Sequence, residues 1–424
     1  MTGKPFFRLV LWLLIFSYFY NLPVMYYSLK GDNELRLYDF LGVFFFYQYF
    51  INYRIISQEI SNVIFFRRFH YFLMYCSFSI LLTLFFSILK NRIMWFVQSF
   101  LYLYHMWVFF LGAVFLYYHL SSIKRYRNIL LFIILLIIAV GIVVILQNIG
   151  IIPFLWSRLY EISYHGFLSG TLGPNKIVLG MTMLISFIFL IGLNSEKKIK
   201  TNKILLYTGI GLAAICILLS GSRTSYVGAI FFLLYFFLTK TGHFVIFGII
   251  GGILFLILIN SSSIVMDRIS ATLEDRVAYA IDGPEDLTSY EDFTGVYDEL
   301  GAGRAELHMM YVKYLLNNPF IIPFGRGFNN RLGVGSSAHN LYLSLINEVG
   351  LVGLILFLRW MFSFMVIVKR KMPGFQLALN GLIIALLITL YFGEHLYVYR
   401  PLFGILGLFM AITVLLTIPL RKST

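Results

Sequence analysis

The sequence predicts an all-α, polytopic membrane protein of about twelve transmembrane helices. A large, partly helical extracytoplasmic loop separates the ninth and tenth spans. Composition and run length predict it. Of 424 residues, 60% are hydrophobic and only 12% are charged. A soluble globular chain carries roughly 45–50% apolar and about 25% charged residues. The apolar residues also gather into runs near the roughly 20 residues that a helix needs to cross hydrocarbon. These features exclude a soluble enzyme. Long apolar runs without a short repeat also exclude a disordered or fibrous chain.

The runs lie near 6–27, 37–56, 69–89, 93–120, 128–151, 176–194, 204–220, 225–239, 243–260, 341–368, 375–391 and 402–420. The first is read as a retained span: Arg8 heads it, Pro23 lies near its end, and no small-residue cleavage site follows. Lys and Arg set the orientation. With both termini in the cytoplasm, the inner side collects 18 basic residues, among them Lys197, Lys198, Lys200 and Lys203. The short outer loops hold eight: Lys30, Arg36, Lys90, Arg92, Arg158, Lys176, Arg223 and Arg400. That asymmetry satisfies the positive-inside rule. It also absorbs the net charge of +14 as loop charge, with no nucleic-acid partner implied. Cys76 and Cys216 show no CxxC or Cys/His spacing, and the histidines show no metal-ligand pairing, so no metal site is read.

Three parts follow: spans one to nine over 1–260, the extracytoplasmic (periplasmic) loop over 261–337, and spans ten to twelve over 338–424. The loop holds 11 of the 19 acidic residues against six basic ones. Long loops translocate largely regardless of charge, and this topology puts it outside. Helical stretches are expected at 264–280 and 304–317. In the second, Leu307, Met310, Tyr311, Tyr314 and Leu315 share one face, and Asn317, Asn318 and Pro319 end it. A shorter outer loop, 152–175, carries Trp156, Arg158, Glu161 and His165, and closes on the turn Gly173-Pro174-Asn175 before Lys176.

The candidate chemistry crowds the outer edge. Gly221-Ser222-Arg223-Thr224-Ser225 is either a tight helical hairpin with a snorkelling arginine or an anion site. In the second reading a guanidinium stands beside hydroxyls and helix N-terminal N–H groups, which suits a pyrophosphate. Gly301-Ala302-Gly303-Arg304 leads into the amphipathic helix and offers a second such place. Arg326 and Arg331 flank the turn Gly325–Asn330, as a substrate rim or as solvated loop charges. Ala338-His339-Asn340 marks the return to the membrane. Glu348 follows inside an apolar span, where an ionisable residue is by default a functional hypothesis. His339 is either a satisfied structural group or a base that accepts a hydroxyl proton near neutral pH. Lys176, Glu394, His395 and Arg400 line a site or mark an interface.

Three segments together resemble the O-antigen ligase and polymerase superfamily of bacterial envelope glycan enzymes. They are SGSRTSYVG at 220–228, GRAELHMMYVKYLLNNPFIIPFGRGFNN at 303–330 and AHNLYLSLINEVGLVG at 338–353. In the last, His339 and Asn340 precede nine residues, then Gly350, two residues and Gly353. One position departs: Leu307 stands where the family often carries tryptophan after the loop arginine.

The resemblance implies a multi-pass glycosyltransferase of the bacterial inner membrane, with its active site on the periplasmic side. Its donor would be a glycan on undecaprenyl pyrophosphate, and it would use neither nucleotide sugar nor metal. Arg223 and Arg304 would hold the diphosphate and His339 would serve as base. Beside the resemblance, Asn340, Ser222, Arg326, Glu348, Arg158 and Lys176 are read as further candidate substrate contacts. The acceptor would be another glycan, for a polymerase, or the lipid A core, for a ligase. The polymerase form fits the GRGFNN…AHNLYLSLINEVGLVG stretch better. A lipid-linked oligosaccharide flippase is a third reading, set against the lack of internally repeated halves.

Overall fold

The computed structural model describes residues 4–26, 34–120, 123–156, 168–196, 199–239, 304–330, 338–366, 372–394, 396 and 400–417. These residues form a mostly helical bundle. In chain order they give α1 (Lys4–Phe19), β1 (Pro23–Tyr26), β2 (Glu34–Arg36), α2 (Leu37–Ile51), α3 (Tyr53–Asn62), α4 (Ile64–Leu89), α5 (Ile93–Leu120) and α6 (Ile123–Asn148). Next come α7 (Lys176–Ser195), α8 (Lys203–Leu219), α9 (Arg223–Thr239), α10 (Arg304–Asn317) and α11 (Ile321–Phe324). The last are α12 (Leu341–Met361), a 3-10 turn (Phe362–Met365), α13 (Pro373–Tyr391) and α14 (Arg400–Thr417). Six of the described helices are long and apolar enough to cross a membrane: Ile64–Leu89, Ile93–His119, Arg127–Asn148, Lys176–Ser195, Leu341–Met365 and Pro373–Tyr391. The run at 243–260 and the stretch at 264–280 lie outside the described residues.

Three runs end differently from their apolar composition. The first stops at Phe19, and Pro23–Tyr26 instead pairs antiparallel with Glu34–Arg36. Pro23 cannot donate to a helix. Asn21, just before it, is drawn sideways: its backbone N–H donates to Thr171 O at 2.8 Å and its amide to Leu172 O at 2.8 Å. The second run breaks at Asn52, and the polar α3 follows with Ile56 and Ile60 buried. The tenth run breaks at Gly350, whose φ of 69° and ψ of −177° lie far from helical values.

The core is built around α7, in which every residue from Val178 to Leu193 is buried. It packs against α8, α9, α13 and α14. Phe189 stacks on Phe409 of α14 with ring centroids 4.1 Å apart. Small residues let the helices close up, as expected where packing rather than water drives association. A Cβ at Gly192 would lie 2.7 Å from the Phe375 ring.

Contacts between neighbouring helices define two ends. At one, Thr171 donates to Phe19 O at 2.7 Å. There Gly180 also lies against the Ser220 and Ser225 hydroxyls, and Gly228 against Thr389. Tyr342 donates to Leu387 O, and Ser344 to Glu394. At the other, Phe65 meets Phe364 at 4.1 Å, Arg68 donates to Arg359 O at 3.0 Å, and Gly374 abuts the Ser195 carbonyl. The chain therefore brings the starts of α7, α9 and α12 and the end of α13 together.

Candidate functional site

The turn between α8 and α9 is built by its serines. The Ser220 hydroxyl donates to Ile217 O at 2.7 Å and accepts from Ser222 N at 3.2 Å. Ser225 donates its hydroxyl to Ser222 O at 2.8 Å, and its N–H to the Ser222 hydroxyl at 3.4 Å. Ser222 is 1% exposed, so its hydroxyl caps the first turn of α9 and does not face outward. Arg223, the next residue, is exposed. A cation is thus carried at the very start of a helix.

Lys176 opens α7 one turn before Gly180, which lies against that serine turn. Asn175 caps the helix by accepting from Ile177 N at 2.8 Å, and Lys176 itself is half-buried. Arg304 is the first residue of α10, and its side chain lies outside the described part. One turn on, His308 meets the Tyr391 ring edge-on at 5.7 Å, which brings the head of α10 beside the end of α13. The expected buried face of α10 is present, with Tyr311 and Leu315 enclosed. Arg158, Arg331, His395 and the glycines before Arg304 lie outside the described residues.

His339 is exposed and sits at φ 49°, in the left-handed region, immediately before α12. Asn340 takes the capping role: its side-chain oxygen accepts from Tyr342 N at 3.0 Å and Leu343 N at 3.2 Å. One turn further, Ser344 donates to the buried carboxylate of Glu394. Arg223, Lys176, His339 and the head of α10 are therefore gathered at one end of the bundle. Ser222 and Asn340 spend their side-chain oxygens on backbone N–H groups there.

Arg326 and Glu348 are each held by packing contacts of their own. Arg326 is 8% exposed; its guanidinium lies 5.1 Å over the Phe86 ring and 5.4 Å over that of Tyr314, and donates to the Tyr314 hydroxyl. Its aromatic stacking is the buried form of a cation–π contact, so it is not a solvated loop charge. Glu348 is fully buried and accepts from Asn329 N at 2.9 Å. The break at Gly350 frees carbonyls above it, and the loop uses them: Arg326 N donates to Asn347 O at 2.9 Å and Gly327 N to Glu348 O at 2.8 Å. Glu348 holds a loop in place.

A further ionisable pair escapes sequence reasoning. Asp39, near the head of α2, binds His105 of α5, and both are buried. Arg36 N donates to the other Asp39 oxygen at 2.8 Å, and the Tyr104 hydroxyl donates to Asp39 O at 2.7 Å. The residues are 66 apart, so spacing gives no sign of the pair. The available signal was that each is ionisable within an apolar run. Among the described residues no group of three or more His, Cys, Asp and Glu could hold a metal ion.

Residues 208–358 match the O-antigen ligase family. The match supports placement in the O-antigen ligase and polymerase superfamily. It covers Ser222, Arg223, Arg304, Arg326, His339, Asn340 and Glu348, and leaves Arg158 and Lys176 before it. No curated protein matches the chain. With its apolar helices, the O-antigen ligase match points to a bacterial membrane protein.

Proposed function

We propose that the chain is an inverting, metal-independent glycosyltransferase that moves a glycan from an undecaprenyl-pyrophosphate-linked donor to a sugar hydroxyl. In this reading it is a surface-polysaccharide (O-antigen) polymerase of the inner membrane. It has twelve spans, cytoplasmic termini and a periplasmic site. One observation carries it: the segment that matches the O-antigen ligase family holds Arg223, Arg304 and His339. The fold gathers the starts of their three helices at one end of the bundle.

In the reaction, the acceptor hydroxyl oxygen attacks the anomeric carbon while the bond from that carbon to the diphosphate oxygen breaks. His339 takes the hydroxyl proton, and undecaprenyl pyrophosphate leaves with the electron pair. Negative charge grows on the departing diphosphate. Fixed guanidinium groups at helix starts are suited to offset it where other enzymes use a divalent ion. Arginine cannot lose its charge and grips two oxygens at once, which suits a diphosphate. A base on the face opposite the leaving group gives single-displacement inversion.

The description of the matched family favours a second reading, in which the finished glycan passes to lipid A core. Lipopolysaccharide from a deletion strain separates the two. Loss of the polymerase leaves chains of one repeat, whereas loss of a ligase leaves none attached. Purified protein supplied with lipid-linked glycan should release undecaprenyl pyrophosphate. Glycan transport without bond cleavage would replace both readings with a flippase.

A further inference from the structure

We propose that residues 304–330 are a re-entrant membrane element, dipping from the site end to the middle of the bilayer and back, with lipid acyl chains against the outer face of α10 and α11. The inference rests on α4 and α12 crossing a membrane, and not on the transfer reaction. The sequence places this segment in an extracytoplasmic loop.

The depth follows from contacts. The head of α10 is at the site end, where His308 meets Tyr391. The chain then reaches Gly350 of α12: a Cβ there would lie 2.5 Å from Phe324 N. At 1.5 Å per residue, Gly350 is about 14 Å along the axis from Leu341. On the other side, Tyr75 of α4 approaches Phe324 O at 3.5 Å, and Tyr75 is about 21 Å along α4 from Leu89. The chain next rises, since Thr83 donates to Phe328 O at 2.7 Å and Asn329 donates to Ser99 at 3.2 Å. The 14 residues of α10 span about 21 Å, enough for the descent.

Two independent features suit hydrocarbon. Non-helical backbone survives at that depth only where protein satisfies it. Here Gly325 N donates to Ile321 O, Arg326 N to Asn347 O, Gly327 N to Glu348 O, Asn329 N to the Glu348 carboxylate and Asn330 N to Gly327 O. Asn330 also donates to Arg326 O and Asn347 to Asn330 O. The outer face is apolar and exposed among the described residues: Leu316 is 69% exposed, Phe320 73% and Phe324 62%. The helices this segment packs against, α4 and α12, expose apolar side chains as well, among them Leu81, Phe85, Leu351 and Ile355. Lys313 shares the face, and its long stem can lie in hydrocarbon while the ammonium reaches towards headgroups.

Single cysteines at Leu316, Phe320 and Phe324 test this in proteoliposomes, with the unaltered chain as blank because Cys76 and Cys216 are buried. A membrane-impermeant maleimide should fail to label all three, and full labelling should return in SDS. A nitroxide at Phe320→Cys should collide with oxygen and not with a water-soluble nickel chelate. Impermeant labelling, or collision dominated by the chelate, would place the face in water and overturn the proposal. Collision with neither reagent would mean protein covers the face, which overturns it equally.

Discussion

Gly325 and Gly350 interlock where α12 breaks. A Cβ on Gly325 would lie 2.5 Å from Val349 N, and one on Gly350 would lie 2.5 Å from Phe324 N. Both sit at positive φ, 75° and 69°, with ψ near ±180°. Only glycine adopts that conformation routinely, and a side chain forced there costs on the order of 1–3 kcal/mol before any clash. Gly350→Ala and Gly325→Ala should each lower the thermal midpoint of the detergent-purified protein by several degrees. Gly211→Ala is the control, since nothing lies within 4 Å of a Cβ there. Equal midpoints for all three would show that the interlock does not support the fold.

Glu348 holds the loop through a backbone N–H, and that requirement does not need a charge. Glu348→Gln keeps an acceptor for Asn329 N and should retain most activity and stability. Glu348→Ala leaves a buried donor unsatisfied, at about 1–3 kcal/mol. It should lose thermal stability and activity together. If the glutamine variant is as inactive as alanine but equally stable as the parent, the carboxylate contacts substrate instead.

Under the proposed transfer reaction, chemistry and scaffold separate within one turn at the site end. Arg223→Ala, Arg304→Ala and His339→Ala should each abolish transfer in membranes while inserted protein stays at parental levels. Arg223→Lys should recover only part, because the two-pronged geometry is gone. Ser222→Ala should behave differently: its hydroxyl caps α9, so the loss is about 0.5–2 kcal/mol of stability, with turnover per folded molecule near normal. Near-parental turnover of His339→Ala across pH would remove it as the base.

The six long helices were legible because the bilayer imposes a length and a composition on each. The described segments that depart do so for reasons composition does not carry. Phe19 ends α1 because Asn21 finds partners in the loop at Thr171 and Leu172, 150 residues away. Arg326 reads as loop charge until the fold brings Phe86 and Tyr314 to either side of it. The starts of α7, α9 and α12 were legible as polar breaks beside apolar runs. The division of labour there was not, since Ser222 and Arg223 are adjacent and only geometry turns one inward.

Asp39 and His105 give the sharpest test of how this bundle tolerates charge. The pair is buried, bonded to each other and framed by the Arg36 N–H. Removing one partner strands a charge or polar ring in a low-dielectric place, which costs about 3–5 kcal/mol. Replacing both with apolar residues of similar size removes the buried charge and ring together, which is often neutral, and leaves only the Arg36 N–H without its acceptor. Asp39→Leu and His105→Leu should therefore each reduce the yield of monodisperse protein, and the double variant should recover much of it. A double-mutant cycle on the thermal midpoint reads the coupling directly. Additive losses would mean the two side chains stabilise their helices independently, and the pair would then be a consequence of packing rather than a requirement of it.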